Sequence, residues 1–180
     1  MIPVQVLAVQ YLANAAPGLC AGLGIPPGFP SLAMLTTDCD DATYIALDAA
    51  TKAAEVEAAY ARSFYAGSAN ASTPNAGEVI GILAARTPDA ARSGMEAVLR
   101  TLEQVGFEDL NGVPCLAHTV SSVGSFLAAE AGVPLGSAVA YLIAPPLEAM
   151  FALDEALKAA DVILAKLYAT PSETNFGGAL

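Results

Sequence analysis

Two neighbouring stretches of the chain carry apolar patterns that predict secondary structure directly. Residues 78–85, EVIGILAA, form a short apolar run of the kind that predicts a strand. Thr87-Pro88-Asp89 follows, and there Thr can cap a helix while Pro suits its first turn. Beyond it, apolar side chains recur at i, i+3, i+4 and i+7: Met95, Val98, Leu99 and Leu102. This spacing predicts an amphipathic helix that begins at the Thr-Pro-Asp segment.

Another helix is predicted where an alanine-rich stretch follows a pair of acids. Asp40 and Asp41 stand before it, and carboxylates at a helix N-terminus can cap free N–H groups and match the helix dipole. We expect this helix to run to about Ala54. The next segment, EVEAAYARSFY at residues 55–65, looks helical by propensity alone.

The sequence around this alanine-rich helix occurs twice. Residues 44–56, YIALDAATKAAEV, align without gaps with residues 150–162, MFALDEALKAADV, and eight of 13 positions are identical. The chain is therefore interpreted as two copies of one unit of about 105 residues, far longer than a solenoid repeat. Residues 161–168, DVILAKLY, are rich in apolar and β-branched side chains and predict a strand. Because two copies should share a fold, residues 55–65 are also predicted to be a strand.

This order of elements predicts an α+β protein built from two tandem domains. Each copy is expected to form an antiparallel sheet with helices packed on it. The domains are predicted at residues 1–105 and 106–180. Only 18 residues follow Val162, so we expect the last helix of the second domain to be absent.

Composition indicates more apolar surface than one small core can hold. The chain is 55% hydrophobic and 14% charged, against a usual charged share of about 25%. With 180 residues it cannot bury all that surface by itself, so the excess is expected to lie against another copy or another partner. A net charge of −11 disfavours nucleic acid and anionic membranes, which bind positive surfaces.

No targeting or membrane segment is predicted. The N-terminal stretch MIPVQVLAVQYLANAAPG lacks a basic region, so we expect no signal peptide. The most apolar window, residues 131–147, is broken by prolines. It is shorter than the roughly 18 uninterrupted apolar residues of a membrane span.

Side chains typical of catalysis or metal binding are scarce. Cys20, Cys39 and Cys115 form no C-x-x-C motif and are expected to be reduced thiols. His118 is the single histidine, so neither a zinc site nor a cofactor is predicted. Cys115 and His118 could form a catalytic dyad, but a dyad also needs an orienting group and an oxyanion site. We therefore do not expect an enzyme.

Five segments, taken in chain order, resemble a known family. They are TTDCDDATYIALDAATKAA, YARSFYAGSANASTPNAGEV, HTVSSVGSFLAAEAGVPLG, AYLIAPPLEAMFALDEALKAADV and PSETNF. Together they resemble the tandem-domain shell proteins of ethanolamine-utilisation bacterial microcompartments, over nearly the whole chain. The resemblance departs at the C-terminus, where the family carries one more strand segment and a helix, and the N-terminus looks a few residues short.

The resemblance implies an architecture that composition alone does not indicate. Each half would be a circularly permuted microcompartment domain of the ferredoxin-like type. Three chains would form a pseudo-hexagonal disc, and discs would tile with other shell proteins into a facet inside the bacterial cytoplasm. A large gated pore would lie on the three-fold axis, and a small pore would lie within each subunit, between its domains. Three-fold closure of a two-domain chain agrees with ordinary oligomer symmetry.

The resemblance also implies residues for the small pore. It places Asp40, Glu78 and Phe107 there, where carboxylates would accept hydrogen bonds from the ammonium group of ethanolamine or a similar small metabolite. An aromatic ring face would attract the same cation. The residues alone leave plainer alternatives open: Asp40 as a helix cap, Glu78 as a solvated strand end and Phe107 as a core aromatic.

Two small polar loops would form the central gate. Tyr65–Asn75 and Ala169–Asn175 occupy equivalent places in the two copies, and they could also be plain surface loops. Gly67 would tolerate the change in backbone angles that gating requires. The candidate gate residues are Tyr65, Gly67, Ser68, Asn70, Asn75, Thr170, Ser172, Glu173 and Asn175.

The sequence thus favours a homotrimeric shell and transport protein. The alternative is a soluble small-molecule-binding regulator with two ferredoxin-like domains that sense a small cation between them. Assembly distinguishes the two classes, because a tile forms trimers and hexagonally packed sheets whereas a sensor forms a small discrete oligomer.

Overall fold

The computed structural model describes residues 1–64, 77–169 and 176–180. In the first half the elements are β1 (Val6–Leu12), α1 (Pro17–Leu23), β2 (Ser31–Thr37), α2 (Asp40–Ala53), β3 (Val56–Ser63), β4 (Val79–Ala85) and α3 (Pro88–Leu102). In the second half they are β5 (Glu108–Leu110), β6 (Val113–Val120), α4 (Ser125–Ala131), β7 (Val139–Ala144), α5 (Pro146–Ala159), β8 (Leu167–Tyr168) and β9 (Gly177–Ala179).

The strands form two antiparallel sheets with the same internal order. The first sheet runs β1-β2-β4-β3, and the second runs β5-β6-β7-β9-β8. Apart from the short edge strand β5, each strand of one sheet has a counterpart in the other at the same place. The predicted α+β class, with two tandem units of antiparallel sheet and packed helices, is confirmed. The first sheet ends at Ala85 and the second begins at Glu108, and the division at residues 105 and 106 stays a prediction.

The first half follows the predicted elements closely. Helix α3 begins where expected, and the hydroxyl of Thr87 accepts a hydrogen bond from the N–H of Ala90 at 3.2 Å. Its apolar stripe faces the core, since Met95 and Val98 are fully buried. Strands β3 and β4 also form as predicted, so the repeat correctly overruled the helical propensity of residues 55–65.

The prediction that Asp40 and Asp41 cap α2 is wrong in one respect. The N-cap is Cys39, no side chain makes a cap hydrogen bond, and both acids lie inside the first turn. They still match the helix dipole. Their side chains are instead drawn to other elements, because Asp40 accepts from Ser63 of β3 and Asp41 accepts from Tyr141 of β7.

The predicted strand at residues 161–168 is also wrong for most of its length. Only Leu167 and Tyr168 are in strand conformation, although the N–H groups of Ala165 and Lys166 donate to the carbonyl of Leu180. A strand needs a partner to satisfy its backbone groups. Its counterpart β3 pairs with the seven residues of β4, whereas β9 offers three.

One hydrophobic core runs through both halves. It fills the space between the first sheet and helices α2 and α3, and it continues to buried side chains of β6, α4 and β7 such as Leu116, Leu127 and Ile143. A smaller cluster around Leu32 and Ile82 lies on the opposite face of the first sheet, as expected for residues that alternate along a strand.

A buried carboxylate joins the halves where α2 packs on α4. Asp48 is fully buried, and its two oxygens accept hydrogen bonds from the N–H groups of Gly124 and Leu127, each at 2.8 Å. Lys52 lies 3.1 Å from the same carboxylate and donates to the carbonyl of Ser122 at 2.8 Å. An acid of the first half therefore caps a helix of the second. This α2–α4 joint fixes the two walls of the cleft described below.

The helices described here contain 7 to 15 residues. A membrane-spanning helix needs about 20. Within the described ranges, no helix combines the length and the apolar character needed to cross a bilayer.

Candidate functional site

A cleft of about 520 Å³ opens between the two halves. One wall comes from the first turn of α2 and from the end of β3, and the other comes from α4, β7 and the segment around β8. The polar groups that line it are Asp40, Asp41, Tyr44, Arg62, Ser63, Glu130, Tyr141, Lys166 and Tyr168. The cleft lies between the two halves, where the resemblance implies a small pore, and its use as a passage stays a prediction.

Asp40 and Asp41 form an acidic end of this cleft. Each is nearly buried, with 6% and 8% of its surface exposed. Asp40 accepts a hydrogen bond from the hydroxyl of Ser63 at 2.5 Å and another from the N–H of Asp41 at 2.9 Å. The Ser63 hydroxyl also lies 2.7 Å from that of Tyr44. A chain of polar groups thus leads from Tyr44 to the carboxylate of Asp40.

Asp41 is the more strongly perturbed of the two acids. Burial, and then the adjacent charge of Asp40, raise its pKa from 3.8 to about 8. The hydroxyl of Tyr141 donates to Asp41 at 3.0 Å, and burial together with the Asp41 charge raises the pKa of Tyr141 well above its usual value. Asp41 therefore holds its proton more tightly than an exposed carboxyl does.

The opposite wall carries an ion pair. Glu130 accepts hydrogen bonds from Lys166 and, at 3.0 Å, from Tyr168. Burial alone would raise the pKa of Glu130, but these hydrogen bonds and the charge of Lys166 outweigh it and hold that pKa below its usual value. The rings of Tyr141 and Tyr168 stack with centroids 6.4 Å apart. They link this wall to the acidic end.

The arrangement suits a small polar molecule that carries a positive charge. The acids supply acceptors for an ammonium group, and the rings of Tyr44 and Phe126, 5.7 Å apart, lie beside them. Aromatic faces attract cations. At the other wall, Glu130 and Lys166 pair with each other, while Arg62 adds a positive charge to the lining, so the carboxylate acceptors left for a ligand lie at the acidic end.

The structure brings one of the three predicted small-pore residues into the cleft. Asp40 lines it. Glu78 lies just before β4 and does not line the cleft. Burial, and then the charges of Asp40 and Asp38, raise the pKa of Glu78, so it interacts electrostatically with the acidic end. Phe107 is half-buried behind the cleft, and its ring centroid is 5.6 Å from that of Phe176, which lines it.

Sequence reasoning missed most of the cleft. Asp41 could have been found, because it adjoins Asp40 and carries the same chemistry. Glu130, Tyr141 and Tyr168 gave no local signal, since they become neighbours of the acids only after the second half packs on the first.

The predicted gate residues lie outside the described residues. They are Tyr65, Gly67, Ser68, Asn70, Asn75, Thr170, Ser172, Glu173 and Asn175. Ala169, at the start of the second predicted loop, is described and lines the cleft.

The geometry gives no support to a Cys115–His118 dyad. Both residues belong to β6, and positions three apart on a strand face opposite sides of the sheet. Burial and Glu108 raise the pKa of Cys115, while burial and Lys52 lower that of His118, so neither charged form is favoured. Within the described ranges, no group of His, Cys, Asp and Glu is arranged to hold a metal ion.

Comparison with known proteins finds similar sequences and structures over nearly the whole chain. The chain is 52% identical over 184 residues to the bacterial microcompartment shell protein EutL of Clostridium perfringens strain 13, covering 100% of this chain and 85% of the relative. The crystal structure of the ethanolamine utilization protein EutL from Leptotrichia buccalis superposes with a TM-score of 0.94 at 50% identity, covering 99% of this chain and 84% of that one. A trimeric shell protein, PduB, at 18% identity and a TM-score of 0.75, shares the fold, with 94% of this chain and 76% of its own covered. No protein-family model matches.

These similarities and the two repeated α+β units define a tandem-domain shell protein of bacterial microcompartments. Within that class, the identity to curated relatives extends over the whole chain. The chain belongs to the EutL family.

Proposed function

We propose that three copies of this chain close into a pseudo-hexagonal tile of the shell that surrounds ethanolamine breakdown in the bacterial cytoplasm. The observation that carries the proposal is the 52% identity to a microcompartment shell protein along the entire chain. The fold relative PduB is described as trimeric. Two equivalent units per chain supply the six lobes of a hexagonal outline. The protein acts as a wall and a passage and catalyses no reaction.

The cleft between the halves is the small passage of this tile, and ethanolamine in its ammonium form is its ligand. Support comes from Asp40 and Asp41, which give the cleft two acids at one end, while the acid of the other wall is already paired with Lys166. The ligand chemistry rests on the relatives' role in ethanolamine utilisation. Glu78 and Phe107 belong to the surroundings of this site, Glu78 through its charge and Phe107 through Phe176.

The predicted loops at residues 65–75 and 169–175 form the gate of a second, larger passage on the three-fold axis. Their equivalent places in the two copies support this role, because a ring of alternating halves would bring both loop sets to the same radius. Their small polar side chains suit a water-filled opening.

Native mass spectrometry and electron microscopy of the purified chain test the proposal. We expect a trimer, and at high protein concentration we expect sheets with hexagonal packing. A discrete monomer or dimer that binds ethanolamine and never forms sheets would instead support the rival class, a soluble regulator with two ferredoxin-like domains. This test of oligomeric state uses the wild-type chain alone, so its outcome does not depend on whether a variant folds.

A further inference from the structure

The cleft between the halves gathers much of the aromatic content of the chain. The sequence has six Tyr, six Phe and no Trp. At least five of these side chains line the cleft: Tyr44, Phe126, Tyr141, Tyr168 and Phe176. Tyr141 is 2% exposed and supports the wall from behind, whereas the other four are half-buried. Ring surface is therefore part of what a molecule in the cleft would contact.

One wall of the cleft already holds an ammonium group against a ring. The Nζ atom of Lys166 lies 5.1 Å from the centroid of the Tyr168 ring and forms an ion pair with Glu130. The hydroxyl of Tyr168 donates a hydrogen bond to the same carboxylate at 3.0 Å. A carboxylate and a ring face thus act together on one cation, as expected from the negative face of an aromatic ring.

The acidic end of the cleft has the same two elements. The hydroxyl of Tyr44 lies 2.7 Å from that of Ser63, which donates to Asp40. The Tyr44 ring lies 5.7 Å from the Phe126 ring, and the two planes are inclined at 43°. A tilted pair of rings therefore stands beside a carboxylate.

No cation of the chain occupies this second arrangement. Within residues 1–64, 77–169 and 176–180, no Lys or Arg forms an ion pair with Asp40, and none lies over the Phe126 ring. A cation from solution could therefore take the place at the acidic end that Lys166 takes at the other wall.

The hydrogen bonds already made at the acidic end favour a cation that donates few of its own. Asp40 accepts from Ser63 and from the N–H of Asp41, and Asp41 accepts from Tyr141. A primary ammonium group has three N–H donors, and each one that leaves water without finding an acceptor costs free energy. A methylated ammonium group has fewer donors or none, and ring faces are its typical binding surface.

The cleft is also large enough for added methyl groups. Its volume of about 520 Å³ falls within the range of about 300–1,000 Å³ that is usual for drug-sized ligands. Ethanolamine is much smaller than such ligands, so N-methyl groups can be added without exceeding the space.

We propose that the cleft binds methylated ammonium ions, with the charged nitrogen held between Asp40 and the rings of Tyr44 and Phe126, and that it binds them more tightly than ethanolamine. This inference rests on the proposed role of the cleft as a passage for cations and names a wider ligand class for it. The passage would then admit amino alcohols with a quaternary nitrogen, of which choline is the simplest probe.

Calorimetry on the wild-type chain tests the ligand class without any variant. Ethanolamine, choline and the uncharged tert-butyl analogue of choline are titrated separately, and choline is then titrated into protein saturated with ethanolamine. The Kd of choline should be about five-fold lower than that of ethanolamine, and ethanolamine should compete with it. The uncharged analogue should bind at least ten-fold more weakly than choline. A choline Kd equal to or above that of ethanolamine would overturn the inference, and so would equal binding of the uncharged analogue.

A substitution at Phe126 tests the role of the rings. Phe126→Leu keeps an apolar side chain but removes a ring face, so the preference for choline over ethanolamine should fall to about one. Phe151→Leu makes the same change on α5, at a position that is 71% exposed and does not line the cleft. This control should keep the preference of the wild type. An unchanged preference in Phe126→Leu would remove the rings from recognition and overturn the inference.

The outcomes separate this inference from the proposed function. If ethanolamine binds and choline does not, the inference is wrong and ethanolamine remains the ligand of the cleft. If neither binds while the chain forms trimers, the inference and the ligand of the proposed function are both overturned, and the tile stands. Binding of choline alone would support the inference and remove ethanolamine from the proposed function.

Discussion

At the scale of single residues, the two adjacent acids of the cleft have different environments. Asp40 is held by Ser63 and by the backbone N–H of Asp41, which both donate to it. Asp41 receives one hydrogen bond, from Tyr141, and burial dominates its behaviour. Asp41 thus holds its proton more tightly than an ordinary carboxyl, because burial and the like charge of Asp40 both favour its neutral form.

We expect Asp41→Asn to stabilise the protein near neutral pH. The folded state holds the Asp41 proton more tightly than the unfolded chain, with a pKa of about 8 against 3.8. Its contribution to the free energy of unfolding is therefore fully present below pH 3.8 and is lost as pH rises through 8. Asparagine cannot ionise, so the variant should gain on the order of 4 kcal/mol at neutral pH.

Urea unfolding at fixed protein concentration, at a series of pH values between the two pKa values, measures this effect. The stability curves of the variant and the wild type should converge at the acidic end. Glu96→Gln, at an exposed position of α3, is the matched control and should follow the wild type throughout. Parallel curves for Asp41→Asn and the wild type would contradict a titrating Asp41.

Asp40→Asn should weaken the binding of ethanolamine. Loss of one charge-assisted hydrogen bond corresponds to about 1.5–3 kcal/mol, so the Kd measured by calorimetry should rise at least roughly ten-fold. Glu78→Gln should have a smaller effect, because Glu78 does not line the cleft. The oligomer should be unchanged in both variants. Equal affinity in Asp40→Asn and the wild type would remove Asp40 from the site.

The affinity for ethanolamine should also depend on pH, and the pKa of Asp41 gives the sign of that dependence. A cation that displaces the proton of Asp41 binds more tightly as pH rises toward 8, by up to about ten-fold per pH unit if one proton is released. In Asp41→Asn this dependence should disappear. Calorimetry in two buffers with different ionisation enthalpies counts the released protons, and a count of zero would refute the displacement.

At the scale of secondary-structure elements, the repeat predicted more than propensity did. Residues 55–65 look helical by propensity, but they form β3, which pairs with β4 as β4 pairs with β2. The aligned second copy had pointed to a strand at this place. The repeat then misled at residues 161–168, where β9 pairs with only two residues of β8. No element was predicted for residues 1–30, because α1 has seven residues, two of them glycine, and no apolar periodicity.

Asp48→Ala should destabilise the joint between the halves more than any exposed substitution. It removes the acceptor of two helix N–H groups and leaves Lys52 beside an uncompensated site. A buried N–H group left without an acceptor typically lowers stability by about 1–3 kcal/mol. Thermal or urea unfolding measures the loss, and Glu155→Ala on the exposed surface of α5 is the control. A loss under about 0.5 kcal/mol, the size of an ordinary surface substitution, would refute the role of Asp48.

At the scale of the whole molecule, the class of protein could be predicted and its cleft could not. Two sheets of matching order follow from a duplication that is visible in the sequence. The contact between Asp41 and Tyr141, by contrast, spans 100 residues. Local patterns specify which face of an element is apolar, but they do not specify how one half is set against the other.

The net charge of −11 leads to a prediction about assembly. Like charges on tiles repel one another, and salt screens exposed charges over a Debye length of about 8 Å at physiological ionic strength. We therefore expect sheet formation, followed by light scattering and electron microscopy, to increase when salt is raised from about 0.01 M to that level. Sucrose at matched osmolality is the control. If sheet formation decreased as salt was raised, repulsion between like charges would not be what limits assembly.

The divergence of α2 and α5 has a consequence for traffic through a shell. Asp40 and Asp41 begin α2, whereas Pro146 and Leu147 stand at the same places in α5. A ring of identical single units would repeat an acidic opening six-fold, whereas in the proposed trimer only the first half of each chain would bring this pair of acids to one. Carboxylate-dependent passage would then be confined to every other position around the proposed ring. Substitution of these acids would change those openings and leave the second halves as they are.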